Sequence, residues 1–208
     1  MKKIFAVLLS AVLLGACAFS LSACGEDGRL KVRVLQYAEH GSLDNCYEGI
    51  VEGLAERGYT EDKIDITRTN AKGVDTDNST YASSIINQNP AVAVGIATPS
   101  AYALATAAKG DIPVVFTAVS DPTSSSADFS LFGNVTGSSD KLPVESQFKL
   151  ITDFFKAKDP SRTESVKIGI LYTRTEANSV SQIAEFQSLA AQYNAEIITA
   201  PVGTANDI

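Results

Sequence analysis

The chain has 208 residues, 45% apolar and 20% charged, with seven Pro and fourteen Gly, which excludes a disordered, collagen-like or coiled-coil protein. A formal charge of −7 argues against a nucleic-acid partner, because phosphate binding needs a basic face. Three Cys and one His leave neither a Cys/His zinc cluster nor a disulfide framework, and any His-assisted nucleophile would have to use His40.

The first 24 residues read as an export signal. Lys2 and Lys3 give a positive start, and Ile4 to Leu21 is apolar or small throughout. The stretch then ends in Leu21-Ser22-Ala23-Cys24, which matches the bacterial lipobox, before polar Gly25-Glu26-Asp27. Cys24 is the expected lipid-bearing residue. Leu14-Gly15-Ala16-Cys17 is a weaker alternative, and an uncleaved anchor is the third. Cleavage removes two lysines and no acid, so the mature charge is −9. Cys46 is then the remaining thiol. The expected location is extracytoplasmic, tethered to the cell membrane by lipid.

Beyond the leader, strands and helices alternate. Lys31 to Gln36 is rich in branched residues and reads as a strand. Asp44 to Arg57 carries Tyr47, Ile50, Val51 and Leu54 at helical spacing, with Ser42 or Asp44 as cap and Gly58 as stop. Ile64 to Thr69 is a second strand, Asn70 to Asn78 a polar loop, and Ser79 to Gln88 a second helix. Ala91 to Ile96 is apolar on both faces, the mark of a buried parallel strand. Thr98-Pro99 starts a helix to Lys109, Ile112 to Ala118 is a fourth strand, and a fifth lies near Leu131 to Val135. The pattern restarts with a helix from Leu142-Pro143 that places Val144, Phe148, Ile151 and Phe155 on one face. Val166 to Tyr172, Glu176 to Tyr193 and Ala195 to Pro201 then read as strand, helix and strand.

This order predicts a doubly wound parallel sheet with right-handed crossovers, and ligands in such sheets sit beyond the carboxyl ends of the strands. That rule selects the loops at Tyr37 to Leu43, Asn70 to Asp75, Ala97 to Ser100, Ala118 to Ser126 and Thr173 to Ser179. The helix start Thr98-Pro99-Ser100 suits a carboxylate or is an ordinary cap. Asp121-Pro122 either accepts from an ammonium group or closes a turn. Ser79 and Asn178-Ser179 are helix starts and read as caps. The loop Tyr37 to Asp44 offers an aromatic face, a carboxylate and an imidazole; His40 there is a surface hydrogen-bonder or a ligand. Asp75 and Asp77 lack the EF-hand pattern, and no metal-ligand spacing is present. There is no Gly-rich phosphate loop and no Gly-x-Ser-x-Gly elbow, so neither cofactor nor catalytic residue is expected.

Several stretches, taken in order, resemble the tryptophan/tyrosine-binding type of ABC-transporter substrate-binding lipoproteins. They are Val34 to Asp44, Gly49 to Tyr59, Ala93 to Ser100, Ile112 to Pro122, Gly133 to Gly137, Pro143-Val144-Glu145, Ile168 to Tyr172 and Glu176 to Ser179. No single stretch is specific, but their order and spacing are, and the lipobox fits independently. The resemblance implies an α/β, two-lobed type I periplasmic-binding fold with parallel doubly wound sheets, closing on its ligand by a hinge. It implies a leader over 1–24, a first lobe over 30–137 and a second over 138–208. It implies an amino-acid ligand, aromatic or otherwise hydrophobic, captured in the interlobe cleft, and delivery to a permease and an ATPase. Thr98 and Ser100 would hold the ligand carboxylate, and Asp121 with Glu39 the ammonium group. Glu176, Asn178 and Ser179 would reach in from the second lobe. Ser42, Pro99 and Pro122 lie in the same stretches and complete the expected ligand set. Members of this family are longer, so the second lobe is expected to be incomplete in a chain ending at Ile208. The main competing reading is an extracytoplasmic sensing module of the same fold. A secreted hydrolase is the other, and it lacks a visible nucleophile.

Overall fold

The computed structural model describes residues 28–124, 127–174 and 176–203. Cys17, Cys24 and the leader lie outside them. The chain divides into two compact units. The first runs to Pro122 and resumes over Ala127–Ser139; the second holds the residues from Asp140 onward together with 123–126.

The first unit is built on β1 (Leu30–Gln36), β2 (Ile64–Asn70), β3 (Val92–Ile96), β4 (Val114–Val119) and β7 (Val135–Ser139). The two-residue strands β5 (Thr123–Ser124) and β6 (Ala127–Asp128) intervene before β7. The five long strands form one sheet in the order β2-β1-β3-β4-β7, every neighbouring pair parallel. Helices α1 (Gly41–Glu56), α2 (Asp75–Asn87) and α3 (Thr98–Ala108) make the crossovers.

Both faces of the sheet are covered. Leu35, Ala93 and Val114 pack against Ala82, Ile85, Leu104 and Ala108 of α2 and α3. Val32, Val34, Val94 and Ile96 point the other way, towards Leu43, Tyr47, Ile50 and Leu54 of α1. This two-sided burial is why the central strands read as unbroken apolar runs. Each such side chain contributes about 1.5–3 kcal/mol when fully buried. A third cluster joins Ala101, Ala105, Phe116, Val119 and Phe129. One charge is buried among the strands: Arg33 donates to Asp65 Oδ2 at 2.7 Å, Gln88 Oε1 at 2.8 Å and the Asp65 carbonyl at 2.8 Å.

In the second unit α4 (Val144–Lys158) precedes β8 (Val166–Thr173), α5 (Ala177–Leu189) and β9 (Ala195–Val202). β8 and β9 pair in parallel from Val166↔Ala195 to Thr173↔Val202. Phe148 is fully buried, with ring centroids 5.0 Å from Phe186 and 5.3 Å from Tyr193, the latter stacked.

Several boundaries differ from the sequence expectation. α1 begins at Gly41, not Asp44, because the His40 imidazole is the cap in place of Ser42 or Asp44: its Nδ1 accepts the Ser42 N–H at 3.2 Å. Gly58 does terminate it, at φ +81°. α2 begins at Asp75, four residues before Ser79, so Asp75, Asp77 and Asn78 are helical rather than loop. The acidic first turn suits the positive helix end. α3 is capped by Ala97, with Thr98 as its first residue. The fifth long strand lies at Val135–Ser139, because Phe129–Leu131 forms a 3-10 turn in place of strand. α5 starts one residue after Glu176, which is its cap, and stops at Leu189 rather than Tyr193.

Candidate functional site

The strand order reverses between β1 and β3: the chain leaves β1 for β2 on one side and returns to β3 on the other. In open parallel sheets the crevice at such a switch point, at the carboxyl ends, is where ligands bind. Backbone bonds draw the loops of this edge together. The Tyr37 N–H donates to the Ile96 carbonyl at 3.2 Å, Ala97 N–H to Thr117 at 3.0 Å, Ala71 N–H to Gln36 at 2.9 Å and Gly73 N–H to Tyr37 at 2.7 Å. The Tyr37 hydroxyl adds a bond to Asp75 Oδ1 at 2.8 Å.

The expected first-lobe residues all fall on this edge. Glu39 and Ser42 are exposed beside the start of α1. Thr98 is buried and Pro99 half-buried at the start of α3, one residue beyond β3. Ser100 is fully buried and its hydroxyl donates to Asn78 Oδ1 at 2.6 Å. Asn78 Nδ2 donates in turn to the Pro99 carbonyl at 3.1 Å. One buried amide on α2 therefore clamps the first turn of α3. Asp121 and Pro122 are half-buried just past β4, and the Pro122 carbonyl accepts the Phe129 N–H at 2.9 Å.

Two backbone features of this edge had no sequence signal. Ala97 sits at φ +77°, ψ 153°, a region almost reserved for Gly, and Ala118 sits at φ +54°. Ala118 coincides with a register shift in the β4–β7 pairing between Phe116 and Val119. Both positions lie at the carboxyl ends of adjacent strands, and strain of this kind clusters at ligand sites. A Gly at either position would have announced the turn; an Ala conceals it.

A polar network stiffens the same edge. The fully buried Gln36 donates to the Ala38 carbonyl at 2.8 Å and to Asp44 Oδ1 at 3.0 Å. Arg68 donates to Asp44 Oδ1 at 3.0 Å and stacks 4.4 Å above the Tyr47 ring. Asp44, expected as a cap, is thus a bridge between α1 and the ends of β1 and β2.

In the second unit Glu176, Asn178 and Ser179 gather at the start of α5, beyond the carboxyl end of β8. The Glu176 carboxylate accepts the Asn178 N–H at 3.2 Å, and its own N–H donates to the Thr173 carbonyl. Among the described residues no group of His, Cys, Asp and Glu is placed to hold a metal ion, and no helix is long and apolar enough to cross a membrane.

Comparison with known proteins gives this arrangement its relatives. Residues 31–208 match the family model described as ABC transporter substrate binding protein. The chain is 32% identical over 181 residues to the tyrosine-binding protein of Clostridioides difficile, covering 85% of this chain and 50% of that protein. It is 38% identical, with a TM-score of 0.74, to the crystal structure of an ABC domain in complex with L-Trp from Streptococcus pneumoniae. It is 36% identical, with a TM-score of 0.72, to a conserved domain protein from Vibrio cholerae. Each structural match covers 86% of this chain and 59% of the other. The chain thus spans between half and three-fifths of the length of these relatives. By this match, its parallel sheet and its switch point, the chain belongs to the ABC transporter substrate-binding protein family and carries its type I periplasmic-binding α/β fold.

Proposed function

We propose that this protein is the extracytoplasmic solute-binding lipoprotein of an ABC importer, and that its ligand is an aromatic amino acid. The observation that carries the reading is the 38% identity to the L-Trp-bound domain, in a match that covers 86% of this chain. The chemistry agrees. First-turn N–H groups of a helix have no intrahelical acceptor, so the start of α3 favours an α-carboxylate there. Thr98 and Ser100 belong to that turn, and Asn78 holds it in place through Pro99 and Ser100. Asp121, with Glu39, supplies negative charge for the α-ammonium group, and Ser42 and Pro122 flank it. Glu176, Asn178 and Ser179 contribute from the second unit. Cys24 carries the lipid that keeps the protein at the membrane, and a permease and an ATPase receive the ligand.

A thermal-shift series on the soluble chain from Gly25 onward tests this. L-Trp, L-Tyr or L-Phe at about a hundredfold excess over Kd should raise the melting midpoint by roughly 5–10 °C, since such an excess stabilises by about 2.7 kcal/mol. Asp121→Asn should abolish most of that rise without lowering the ligand-free midpoint by more than about 2 °C. A rise with sugars alone, and none with aromatic amino acids, would overturn the ligand assignment.

A further inference from the structure

The second unit has a concave surface at the end of its sheet opposite to Glu176, next to the first residue of β8 and the residue before β9. A cavity of about 260 Å³ there adjoins a second of about 520 Å³, and the two meet at Phe155, Arg162, Glu164 and Val166. Its charges are unusual for so acidic a chain. The Arg162 guanidinium lies 5.5 Å from the Phe155 ring centroid. Its Nη2 donates only a long bond, 3.3 Å to the Ser165 carbonyl, and its Nε is buried with no hydrogen-bond partner. The nearest carboxylate, Glu164, is 3.9 Å from Nη2 with a side chain 85% exposed. Lys156 lines the same cavity and forms no ion pair among the described residues. Lys167, on the adjoining side, is 3.6 Å from Glu196. The Tyr193 hydroxyl is turned away to Glu145 Oε1 at 3.0 Å, and Asn194 Nδ2 donates to the Thr163 carbonyl. Gln192, an exposed residue, lines the same cavity.

From this geometry we infer that the cleft between Lys156, Arg162 and Gln192 is a second ligand site, and that it takes a phosphate group carried by a small molecule. Lys156, Arg162 and Gln192 line it from α4, the loop after it and the approach to β9. A guanidinium fork resting on an aromatic ring is weakly hydrated and suits a multivalent oxyanion. Charge-assisted bonds from Arg162 and Lys156 would supply the affinity, and a tetrahedral anion accepts donors from outside any one plane, where a carboxylate accepts mainly within its own. Glu164, on an exposed side chain, can swing into solvent as the anion enters. The phosphate could arrive on a free metabolite or on a lipid headgroup, since both present the same chemistry.

The test is a titration of the protein with inorganic phosphate at constant ionic strength, followed by NMR through the Arg162 Nε–H and Gln192 side-chain amide signals. Both signals should move and saturate, with a Kd on the order of 1 mM or tighter. Arg162→Gln should remove the saturation seen at Gln192, and Lys156→Gln should weaken it about 2- to 5-fold. Sodium chloride at matched ionic strength should move neither signal, and saturating L-Trp should leave the phosphate curve unchanged. A linear response, or the same curve in Lys156→Gln and Arg162→Gln, overturns the proposal. If Arg162→Gln does not fold, an unchanged Kd in Lys156→Gln is enough to sink it. Vesicles bearing phosphatidic acid, compared with free phosphate, separate the two sources: competition by vesicles assigns the headgroup, its absence the soluble molecule.

Discussion

A methyl group on residue 95 would stand 2.3 Å from the Ala101 Cα, 2.6 Å from its nitrogen and 2.8 Å from its Cβ. These are mostly backbone atoms of α3, so the helix has to move to admit any side chain. Gly95→Ala should therefore cost about 3 kcal/mol, at the upper end of overpacking substitutions, and lower the midpoint of urea unfolding accordingly. Two residues along, the opposite holds. Ala97 holds a backbone conformation that costs about 1–3 kcal/mol for a residue with a Cβ, and glycine's extra unfolded-state entropy returns about 1 kcal/mol of any gain. Ala97→Gly should raise stability by about 1 kcal/mol in the same assay. An unchanged or lower midpoint would mean that Ala97 is not strained. Residues 95 to 101 thus form one device, in which close strand–helix contact and a strained junction fix where α3 begins. The sequence shows half of it. The Gly is visible, while the Ala at a glycine position and the buried Ser100–Asn78 bond depend on neighbours 22 residues away in the chain.

At the scale of elements, strands β1, β3, β8 and β9 were legible to within two residues because they are rich in branched and apolar residues. Helix starts were less legible. His40 caps α1 through an imidazole nitrogen, a role that cap preference assigns to Ser42 or Asp44. α2 starts in a run of polar residues whose helical state is decided by Asn78 packing under α3, not by periodicity. The 3-10 turn at Phe129–Leu131 displaced the last strand of the sheet because Phe129 is drawn into the cluster with Phe116, whose ring centroid is 5.0 Å away. The pairing of α4 with the approach to β9 gives a measurable consequence. Burial, and then the bond to Glu145, pushes the Tyr193 phenol above its ordinary 10.0. A folded-state pKa raised in this way favours the protonated form in the native protein. The contribution to stability is complete below pH 10 and is lost as pH rises through the folded value. Tyrosinate absorbance should accordingly show a component titrating above pH 10, and Glu145→Gln should move that component down. A titration left unchanged by Glu145→Gln would contradict the hydrogen bond.

At the scale of the whole molecule, the two units differ in how completely their sheets are covered, and that difference should be visible in exchange. In the first, β1, β3 and β4 have helices on both faces, and Val34, Leu35, Ala93, Ile96 and Val114 are fully buried. In the second, the described sheet is a two-stranded parallel pair whose Ile168, Ile170, Ile197 and Thr199 are half-buried on one face. Its other face presents Lys167 and Glu196 as an ion pair, then Gly169 beside Ile198, then Leu171 beside Ala200. Leu171 is 63% exposed and Ile198 49%, values foreign to the interior strands of a parallel sheet. Local opening follows buried apolar contact, so the backbone amides of β8 and β9 should exchange at least about tenfold faster than those of β1 and β3, a gap of about 1.4 kcal/mol. Amide exchange followed by mass spectrometry resolves this on peptides spanning 30–36, 92–96, 166–173 and 195–202. Equal protection of the two sheets would show that the exposed face of β8 and β9 is covered in solution, and the accounting by burial would fail. Slow exchange in the first unit alone would place the stable core in its five-stranded sheet.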